Sequence, residues 1–429
     1  MLRTSVPVSY RFREISPLRA SESLLANAST VVGIMDNMSR LRSRDLFPSE
    51  EPVRPPGKLI GRQSDVEELA SQLSNGLHRV LAAPRRTGKS TVCEATIAAL
   101  RRKRFYTVSV SLFKYTNAAS LAEALAQETL ANHSAVKRLI ERTRNLGSGA
   151  LSGRSLTAVL RVKSELGEAV EIALEPARRR RDPLQELSAA LELPQRIAER
   201  DDRQLILLID ELQQLTSGAY SDPEQITQRL RETMHASPRV TCLFAGSIEH
   251  LMRDLFSNQH RALYQFGGFH ELSRITEDEW RAGLGERFAQ DECTVDEEAL
   301  ERIIASGEGH PRSTMLIAQQ THHASVEEDT HHIDGTLAER GYRGALADDA
   351  GRHSDLMDRI RAMGNTPVEV TIRLAHHRSP YTDLEKKAAN RALNALADAS
   401  IVIRPGGRGS WTLADPLFSA YVRREISAR

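Results

Sequence analysis

Short apolar runs alternate with longer amphipathic stretches from Leu59 to about residue 275. Four of these runs have the length of buried strands, and they occupy residues 78–83, 105–112, 205–209 and 240–245. Each run is followed by a turn and then by a segment with helical periodicity. This alternation predicts an α/β core in which a parallel sheet is covered by helices on both faces.

The pattern changes on both sides of this core, which we place at 57–275. Residues 1–56 show no sustained period and end in a proline-rich stretch, so we expect a poorly ordered extension and linker. A charged, helix-prone insertion at 133–200 interrupts the strand rhythm. It contains the arginine run 178–181, which suits either a solvated face or a phosphate-binding patch. Beyond the core, 276–345 is helical throughout and predicts a small lid.

The C-terminal region 352–429 has a third pattern. Amphipathic segments near 367–377 and 383–398 follow an earlier short helix, and β-prone runs within 401–413 flank a glycine-rich turn. Three helices followed by a hairpin are the plan of a winged helix-turn-helix domain, which we therefore predict for this region.

Hydroxyl residues three positions before a glutamate mark several helix starts, because this spacing is the signature of a capping box. The boxes lie at 120–123, 221–224, 276–279, 294–297, 366–369 and 381–385. We expect each hydroxyl to accept a hydrogen bond from a backbone N–H of the first helical turn.

The second amphipathic segment of the C-terminal region, 383–398, has a polar face that suits contact with DNA. In a winged helix this segment lies in the major groove while the hairpin touches the backbone. The same features suit a solvated helix or one that packs on a protein partner, so DNA and protein partners both stay open. The candidate DNA-binding residues are Lys386, Lys387, Asn390, Arg391, Asn394, Arg404 and Arg408.

Composition narrows the class of protein without deciding its partner. A chain of 429 residues with 40% hydrophobic and 27% charged residues predicts two or three globular domains. It contains no apolar run long enough to span a membrane, and its three cysteines are far apart, so we expect a cytoplasmic protein without a membrane partner. The net charge of +1 gives no overall attraction to nucleic acid.

Three histidine pairs invite a metal hypothesis, at 322–323, 331–332 and 376–377. Adjacent histidines on a helix point about 100° apart and do not converge on one ion. No acid or cysteine stands at ligand spacing from them, so we expect these histidines to lie on the solvated surface.

The strongest chemical signal is a glycine-rich loop between the first strand and the following helix. A triphosphate needs backbone N–H groups aimed at its oxygens, a lysine for the outer phosphates and a hydroxyl for magnesium. Gly88, Lys89 and Ser90 supply these in the expected order, while Ala83 replaces the usual first glycine. The predicted ATP-binding loop comprises Ala83, Pro84, Arg85, Arg86, Thr87, Gly88, Lys89, Ser90 and Thr91.

Two acids end the apolar run 205–209. Asp210 would hold Mg²⁺ together with Ser90, and Glu211 would orient or deprotonate the attacking water. The alternative is a strand that leaves the sheet at two solvated acids. Because a phosphate loop precedes this strand in the chain, the pattern favours a P-loop ATPase.

The motifs resemble those of AAA+ and STAND-like ATPases, and among them the archaeal ATPase family, which is also widespread in bacteria. The matching segments are 59–62 with 65–68, the loop 83–90, and the acidic motif 210–214. The resemblance implies an AAA+-like P-loop NTPase sheet with a helical lid and a winged helix. It also implies that Gly61 and Arg62 lie beside the adenine.

The same resemblance implies two phosphate sensors. Ser247 follows the strand 240–245, where the family places a polar residue that senses the γ-phosphate, although a serine there also suits a helix cap. Pro311 and Arg312 belong to a Gly-x-Pro-like motif of the lid, and Arg312 would be the second sensor. Arg253 and Arg261 do not fall where the family carries an arginine finger.

Together these features predict an ATP-binding, Mg²⁺-dependent ATPase that acts as a conformational switch coupled to a winged helix. The alternative is a DNA-binding regulator, or a mobile-element or defence protein, in which ATP is a structural or gating ligand with little turnover.

Overall fold

A computed structural model describes residues 42–50, 59–132, 182–216, 218, 220–272, 274–404 and 410–427. A parallel sheet forms the centre of the core, with strand order β2-β3-β4-β1-β5. Its strands are β1 Arg79–Ala82, β2 Tyr106–Ser111, β3 Leu205–Asp210, β4 Val240–Gly246 and β5 Gly268–His270. The four predicted strands are confirmed. Sequence reasoning missed β5, because its three residues Gly268–His270 are too few and too polar to form an apolar run.

Helices cover both faces of this sheet, as predicted. The core helices are α2 Gln63–Ser74, α3 Lys89–Arg102, α4 Ala118–Leu130, α5 Pro183–Arg200, α6 Pro223–His235 and α7 Glu249–Ser257. Strand β3 shows how the faces divide, because its side chains alternate in direction. Leu205, Leu207 and Ile209 pack in the cluster that contains α4 to α7. Ile206 and Leu208 pack on the other face against α2 and α3.

Helix α5 corrects the prediction of an insertion at 133–200. Its side chains Leu187, Leu191 and Ile197 are buried in the core cluster that also contains α4 and α6. The end of the predicted insertion is therefore part of the layer that covers the sheet. The arginine run 178–181 lies outside the described residues.

The lid follows the core and is largely helical. It contains α8 Glu277–Ala289, α9 Glu297–Gly307, α10 Pro311–Glu327 and α11 Gly335–Asp348. Two short strands, β6 Thr294–Val295 and β7 His332–Ile333, pair in parallel between these helices and were not predicted. Trp280 and Phe288 are fully buried at the centre of the lid.

The N-terminal segment 42–50 contradicts the expectation of a poorly ordered extension over its own length. A short helix, α1 at 42–46, leads to Phe47, whose side chain is fully buried in the lid core against Phe288. The Leu46 carbonyl accepts a hydrogen bond from Arg287. Phe47 docks this segment together with polar contacts of Ser43, Leu46 and Glu50, and such isolated residues give no periodic signal in the sequence.

Two of the histidines expected on the surface are instead buried in the lid. His322 is fully buried, with its Nε2 2.8 Å from Asp291 Oδ2 and its Nδ1 2.8 Å from Ser43 Oγ. His323 is buried beside it. The expectation of a solvated surface is wrong for this pair because α10 packs against several lid elements at once and has little free face. His331 and His332 are exposed.

The C-terminal region has the element order that the sequence predicts. It contains α12 Ala350–Ala362, α13 Asn365–Ala375, α14 Lys386–Asp398, β8 Val402–Ile403, β9 Thr412–Leu413 and α15 Pro416–Ser427. Strands β8 and β9 pair antiparallel as a hairpin. Its own core contains Leu393 and Leu396 of α14 and Phe418 of α15. The winged-helix assignment stays a prediction, and residues 405–409 lie outside the described chain.

Of the predicted capping boxes, the one at Thr276 is confirmed, since Thr276 and Glu279 exchange both hydrogen bonds at the start of α8. The other five are wrong. At α4 the preceding Asn117 accepts from the Ser120 N–H, so the helix starts three residues earlier than expected. Helices α6, α9, α13 and α14 begin after other residues, without a side-chain cap. None of the described helices has the length and hydropathy required to cross a membrane.

Candidate nucleotide-binding site

A cleft of about 470 Å³ lies between the carboxyl ends of the sheet strands and the lid. In an open α/β sheet this edge is where ligands bind. The cleft brings together most of the predicted site residues with several that were not predicted. The predicted ones are Arg62, Pro84, Arg85, Arg86, Gly88, Lys89, Ser90, Thr91, Glu211, Ser247, Pro311 and Arg312.

The loop between β1 and α3 has the backbone shape of an anion cradle. Arg86 and Gly88 have left-handed conformations, with φ of 69° and 88°. Helix α3 begins at Lys89 with Gly88 as its N-cap, so free backbone N–H groups and the positive end of the helix dipole face the loop. Left-handed residues that alternate with other backbone conformations turn successive N–H groups into the loop, and this favours the binding of phosphate.

Other predicted residues brace this loop. The Thr87 hydroxyl donates to the Pro84 carbonyl at 2.8 Å, and Arg62 Nη2 donates to the Thr87 carbonyl at 3.0 Å. Ala83 is buried, and its N–H donates to the Gly246 carbonyl, which extends the sheet. These three residues therefore fix the shape of the loop.

Gly61 lies where two segments come close together. Its φ is 58°, and a Cβ on it would lie 2.6 Å from a methyl carbon of Ile275. A larger residue would push the start of the core away from the lid, so glycine is required by both backbone and space. Its neighbour Arg62 is buried and bonded to Asp65 at 3.2 Å. Burial lowers the pKa of Arg62 despite the pull of Asp65.

Lys89 connects the loop to the acids at the end of β3. Its Nζ lies 2.6 Å from Asp210 Oδ1 and 3.2 Å from Glu211 Oε1. Burial alone would lower the pKa of Lys89, but the two carboxylates outweigh it and raise that pKa. Asp210 and Glu211 therefore lie on the loop side of the sheet, as the sequence predicts. The alternative of two solvated acids is wrong, since both carboxylates are engaged.

Glu211 and Ser247 come from neighbouring strand ends and are in direct contact. Ser247 Oγ donates to Glu211 Oε2 at 2.8 Å. Ser247 is not a helix cap, because α7 begins at Glu249 with Ile248 in the N-cap position. Burial would raise the pKa of Glu211, but Lys89 and the hydrogen bonds to its carboxylate lower it. Glu211 is thus held as a carboxylate.

Arg312 faces the loop from the lid side and is buried. It donates to Asp349 Oδ2 and Oδ1 at 2.6 and 2.8 Å and also pairs with Glu50. Burial would lower the pKa of Arg312, but these acids raise it. Burial and the charges of Arg352 and Arg312 lower the pKa of Arg86, so guanidinium groups from three parts of the chain lie near one another.

The ion pairs continue from Arg312 into the C-terminal region. Arg352 pairs with Asp349 and, at 2.9 Å, with Asp415. Ser313 Oγ also donates to Asp415, at 3.2 Å. Burial alone would raise the pKa of Asp415, but hydrogen bonds and nearby cations hold it far below its usual range. Asp415 directly precedes α15, so charged contacts link the cleft to the last helix.

The apolar part of the cleft was not predicted. Leu59, Ile60, Ile275, Trp280 and Met315 line it together with Pro48. These side chains come from the start of the core, the N-terminal segment and two lid helices. A flat, weakly polar ring fits such a lining. No local motif marks these residues, since single apolar residues in different elements leave no pattern.

The donor set at the base of the cleft fits a divalent cation. Mg²⁺ prefers oxygen ligands, and the Ser90 hydroxyl and the Asp210 carboxylate supply them. Ser90 lines the cleft at the start of α3, and Asp210 is bonded to Lys89 Nζ at 2.6 Å, so these two residues are the candidate ligands.

Residues predicted for other contacts lie away from this cleft. On α14 the side chains of Lys386, Lys387, Asn390, Arg391 and Asn394 are all exposed on one face. Arg404 lies over the Trp411 ring, 4.5 Å from its centroid, and Arg408 is outside the described residues. Arg253 and Arg261 pair with acids of the core, Arg253 with Glu271 and Arg261 with Glu224 and Asp254.

Comparison with solved structures finds the same architecture over most of the chain. A Walker-type ATPase of Pyrococcus abyssi is similar with a TM-score of 0.61 and 14% identity, over 88% of this chain and 99% of that one. The ORC2 protein of Aeropyrum pernix, in ADPNP and ADP complexes, has a TM-score of 0.54 and 14% identity, over 90% and 98%. The ADP form of the same protein has a TM-score of 0.52 and 13% identity, over 90% of this chain and 98% of that one.

No protein-family model matches the sequence, and no curated protein does. Identities of 13 to 14% establish a common fold and nothing finer. The parallel central sheet agrees with that likeness. The chain therefore has the α/β P-loop NTPase fold of the AAA+ type.

Proposed function

We propose that this protein is a cytoplasmic, Mg²⁺-dependent ATPase that acts as a nucleotide-driven switch on its C-terminal region. The observation that carries the proposal is the meeting of Lys89, Asp210, Glu211 and Ser247. Lys89 opens α3, Asp210 and Glu211 lie at the end of β3, and Ser247 follows β4. Lys89 lies within 3.2 Å of both acids, and Ser247 lies 2.8 Å from Glu211. ATP is the proposed nucleotide because the cleft joins a phosphate cradle to an apolar slot. The nucleotide complexes of the Aeropyrum protein support this choice.

Each side chain has a role that follows from its place. The loop N–H groups and Lys89 bind the β- and γ-phosphates, since Lys89 can exchange carboxylate partners for phosphate oxygens. Ser90 and Asp210 hold the cation, which neutralises charge on the phosphates when bound. Glu211 orients the attacking water and accepts its proton. Ser247 and Arg312 respond to the γ-phosphate, and the adenine packs near Gly61 between Ile60 and Ile275.

The switch follows from the charge pairs at Arg312. A γ-phosphate would compete with Glu50 and Asp349 for this guanidinium, because both are anions that it already binds. Asp349 would then rely on Arg352, which also holds Asp415 at the start of α15. ATP and ADP differ by this one phosphate, so hydrolysis would change the contacts of the C-terminal region.

Replacement of Glu211 by glutamine tests the catalytic part. The variant should bind ATP as the wild type does and release no phosphate, because an amide cannot accept the proton of water. Phosphate release should be measured for both proteins alone, with duplex DNA and with single-stranded DNA. A wild type that releases no phosphate under all three conditions would refute hydrolysis.

The second candidate function is a DNA-binding regulator in which ATP acts mainly as a gating ligand. The exposed basic and amide face of α14 favours it. A double variant with Lys386→Ala and Lys387→Ala should weaken DNA binding and lower the salt slope by about one for each lost phosphate contact. Arg343→Ala is the control, since Arg343 is exposed on the lid. An unchanged slope would favour a protein partner.

A further inference from the structure

A buried glutamine lies between Glu211 and Ser247. Gln213 is 1% exposed, and its Nε2 donates both to Glu211 Oε2 and to Ser247 Oγ, the latter at 3.1 Å. The Ser247 hydroxyl donates in turn to the same carboxylate oxygen. One oxygen of Glu211 is therefore held by two donors that also hold each other.

A short turn and the end of β4 position the Gln213 side chain. Gln213 belongs to the short 3₁₀ turn Leu212–Thr216, which is anchored where the Gln214 N–H donates to the Glu211 carbonyl. At the end of β4, a Cβ on Gly246 would come within 2.5 Å of both Gln213 Oε1 and Met252 Sδ. Glycine at this position therefore leaves room for both side chains.

Stability does not account for an amide at this position. Gln213 Oε1 is buried and accepts no hydrogen bond from the part of the chain that the structure describes. A buried acceptor without a donor destabilises a fold, and an apolar side chain of equal length would avoid this cost. The benefit of glutamine must therefore come from the groups that its Nε2 contacts.

The two oxygens of Glu211 have different partners. Oε1 faces Lys89 at 3.2 Å, whereas Oε2 is held by Gln213 and Ser247. When Lys89 turns to phosphate, Oε1 becomes available and Oε2 stays anchored. The backbone of Glu211 has a φ of 55°, a conformation that glutamate seldom adopts, and the anchored carboxylate helps to fix the residue there.

We propose that Gln213 is a positioning residue for hydrolysis, which anchors Oε2 of Glu211 so that Oε1 faces the attacking water. This inference rests on the proposed ATPase function and adds to it a residue that acts through Glu211. A general base must lie within hydrogen-bond distance of the water whose proton it accepts, and Gln213 helps to hold Glu211 in such a position.

Gln213→Met tests the proposal, because methionine matches the length of glutamine and lacks the amide. The affinity for a non-hydrolysable ATP analogue should stay within about twofold, while kcat should fall about tenfold. The urea midpoint of unfolding should not decrease, since the unpartnered Oε1 is removed as well. Gln228→Met, an exposed change on α6, is the control and should keep its kcat.

The split between kcat and KM separates positioning from a structural role. Gln213 contacts Glu211 and Ser247, and it is not among the residues that line the cleft. Gln213→Met should therefore lower kcat while KM stays within about twofold. An unchanged kcat, or a loss of kcat explained by a smaller folded fraction, would overturn the proposal.

A double-mutant cycle gives a readout that needs no turnover. Gln213→Met and Glu211→Gln should shift the urea midpoint in a non-additive way, because the two side chains are in contact. If the wild type releases no phosphate, the ATPase proposal fails and the cycle still reports whether Gln213 holds Glu211. Additive midpoints would refute the contact and with it the positioning role.

Discussion

The two walls of the cleft are built in different ways. The strand wall, defined here as Lys89, Asp210, Glu211 and Ser247, consists of residues that directly follow buried strands or open the next helix. The lid wall, defined as Glu50, Arg312, Asp349, Arg352 and Asp415, joins residues from the N-terminal segment, the lid and the C-terminal region. Backbone geometry fixes the first wall, while charge pairs fix the second.

This difference indicates which wall keeps its geometry and which wall can change its contacts when a nucleotide binds. Parallel strands place their carboxyl ends at one edge, so the strand wall keeps its geometry as long as the sheet is folded. In the lid wall each cation has anionic partners on other segments, and an added phosphate is one more anion of the same kind. We therefore expect the strand wall to determine affinity and chemistry, and the lid wall to determine how the nucleotide is sensed.

Lys89→Ala should give the largest effect on binding. Two charge-assisted contacts to phosphate at about 2 kcal/mol each correspond to roughly a thousandfold loss of affinity. Calorimetric titration with a non-hydrolysable ATP analogue measures it. Lys103→Ala is the control, because Lys103 lies exposed at the end of the same helix. An unchanged affinity would remove the basis for assigning the strand wall to phosphate.

Arg312→Ala should affect stability more than any single change in an exposed pair. The side chains of Arg312 and Asp349 are 3% and 7% exposed, and removal of one partner leaves a buried charge, at a cost of roughly 3 kcal/mol. Urea unfolding measures it, with Arg302→Ala on the exposed face of α9 as the control. Equal midpoints for the two variants would show that the lid wall is not held by its ion pairs.

The same contrast explains what the sequence could and could not predict. The apolar runs and the Gly-Lys-Ser motif locate the strand wall, because each residue follows a local pattern that the structure confirms. Glu50 and Arg312 are 262 positions apart, and Arg352 and Asp415 are 63 apart. Single charged residues at such distances carry no periodic signal, so their pairing follows only from the folded lid. Phe47 was missed for the same reason.

The lid wall should also respond to acid. Burial would raise the pKa of Asp349, but Arg312 and Arg352 lower it from 3.8 to about 2. A depressed carboxyl pKa stabilises the folded state above pH 4, and that contribution is lost as the pH falls from about 4 to about 2. Asp349→Asn should remove about 2 kcal/mol of this pH-dependent stability. The free energy of unfolding, measured against pH for the variant and the wild type, tests this. Asp348→Asn is the control, because Asp348 is exposed and its variant should follow the wild-type curve.

Glu50→Gln should give the smallest effect on affinity, and it tests whether an acid of the lid wall competes with the nucleotide for Arg312. Glu50 is half exposed, so its pair with Arg312 contributes little to stability, and its removal should leave the urea midpoint unchanged. It should still raise ATP affinity about twofold, because Arg312 then has one anion fewer to exchange for phosphate. Asp45→Asn, an exposed change in the same segment, should leave affinity unchanged. A weaker affinity in Glu50→Gln would mean that Glu50 holds Arg312 ready for the nucleotide instead of competing with it.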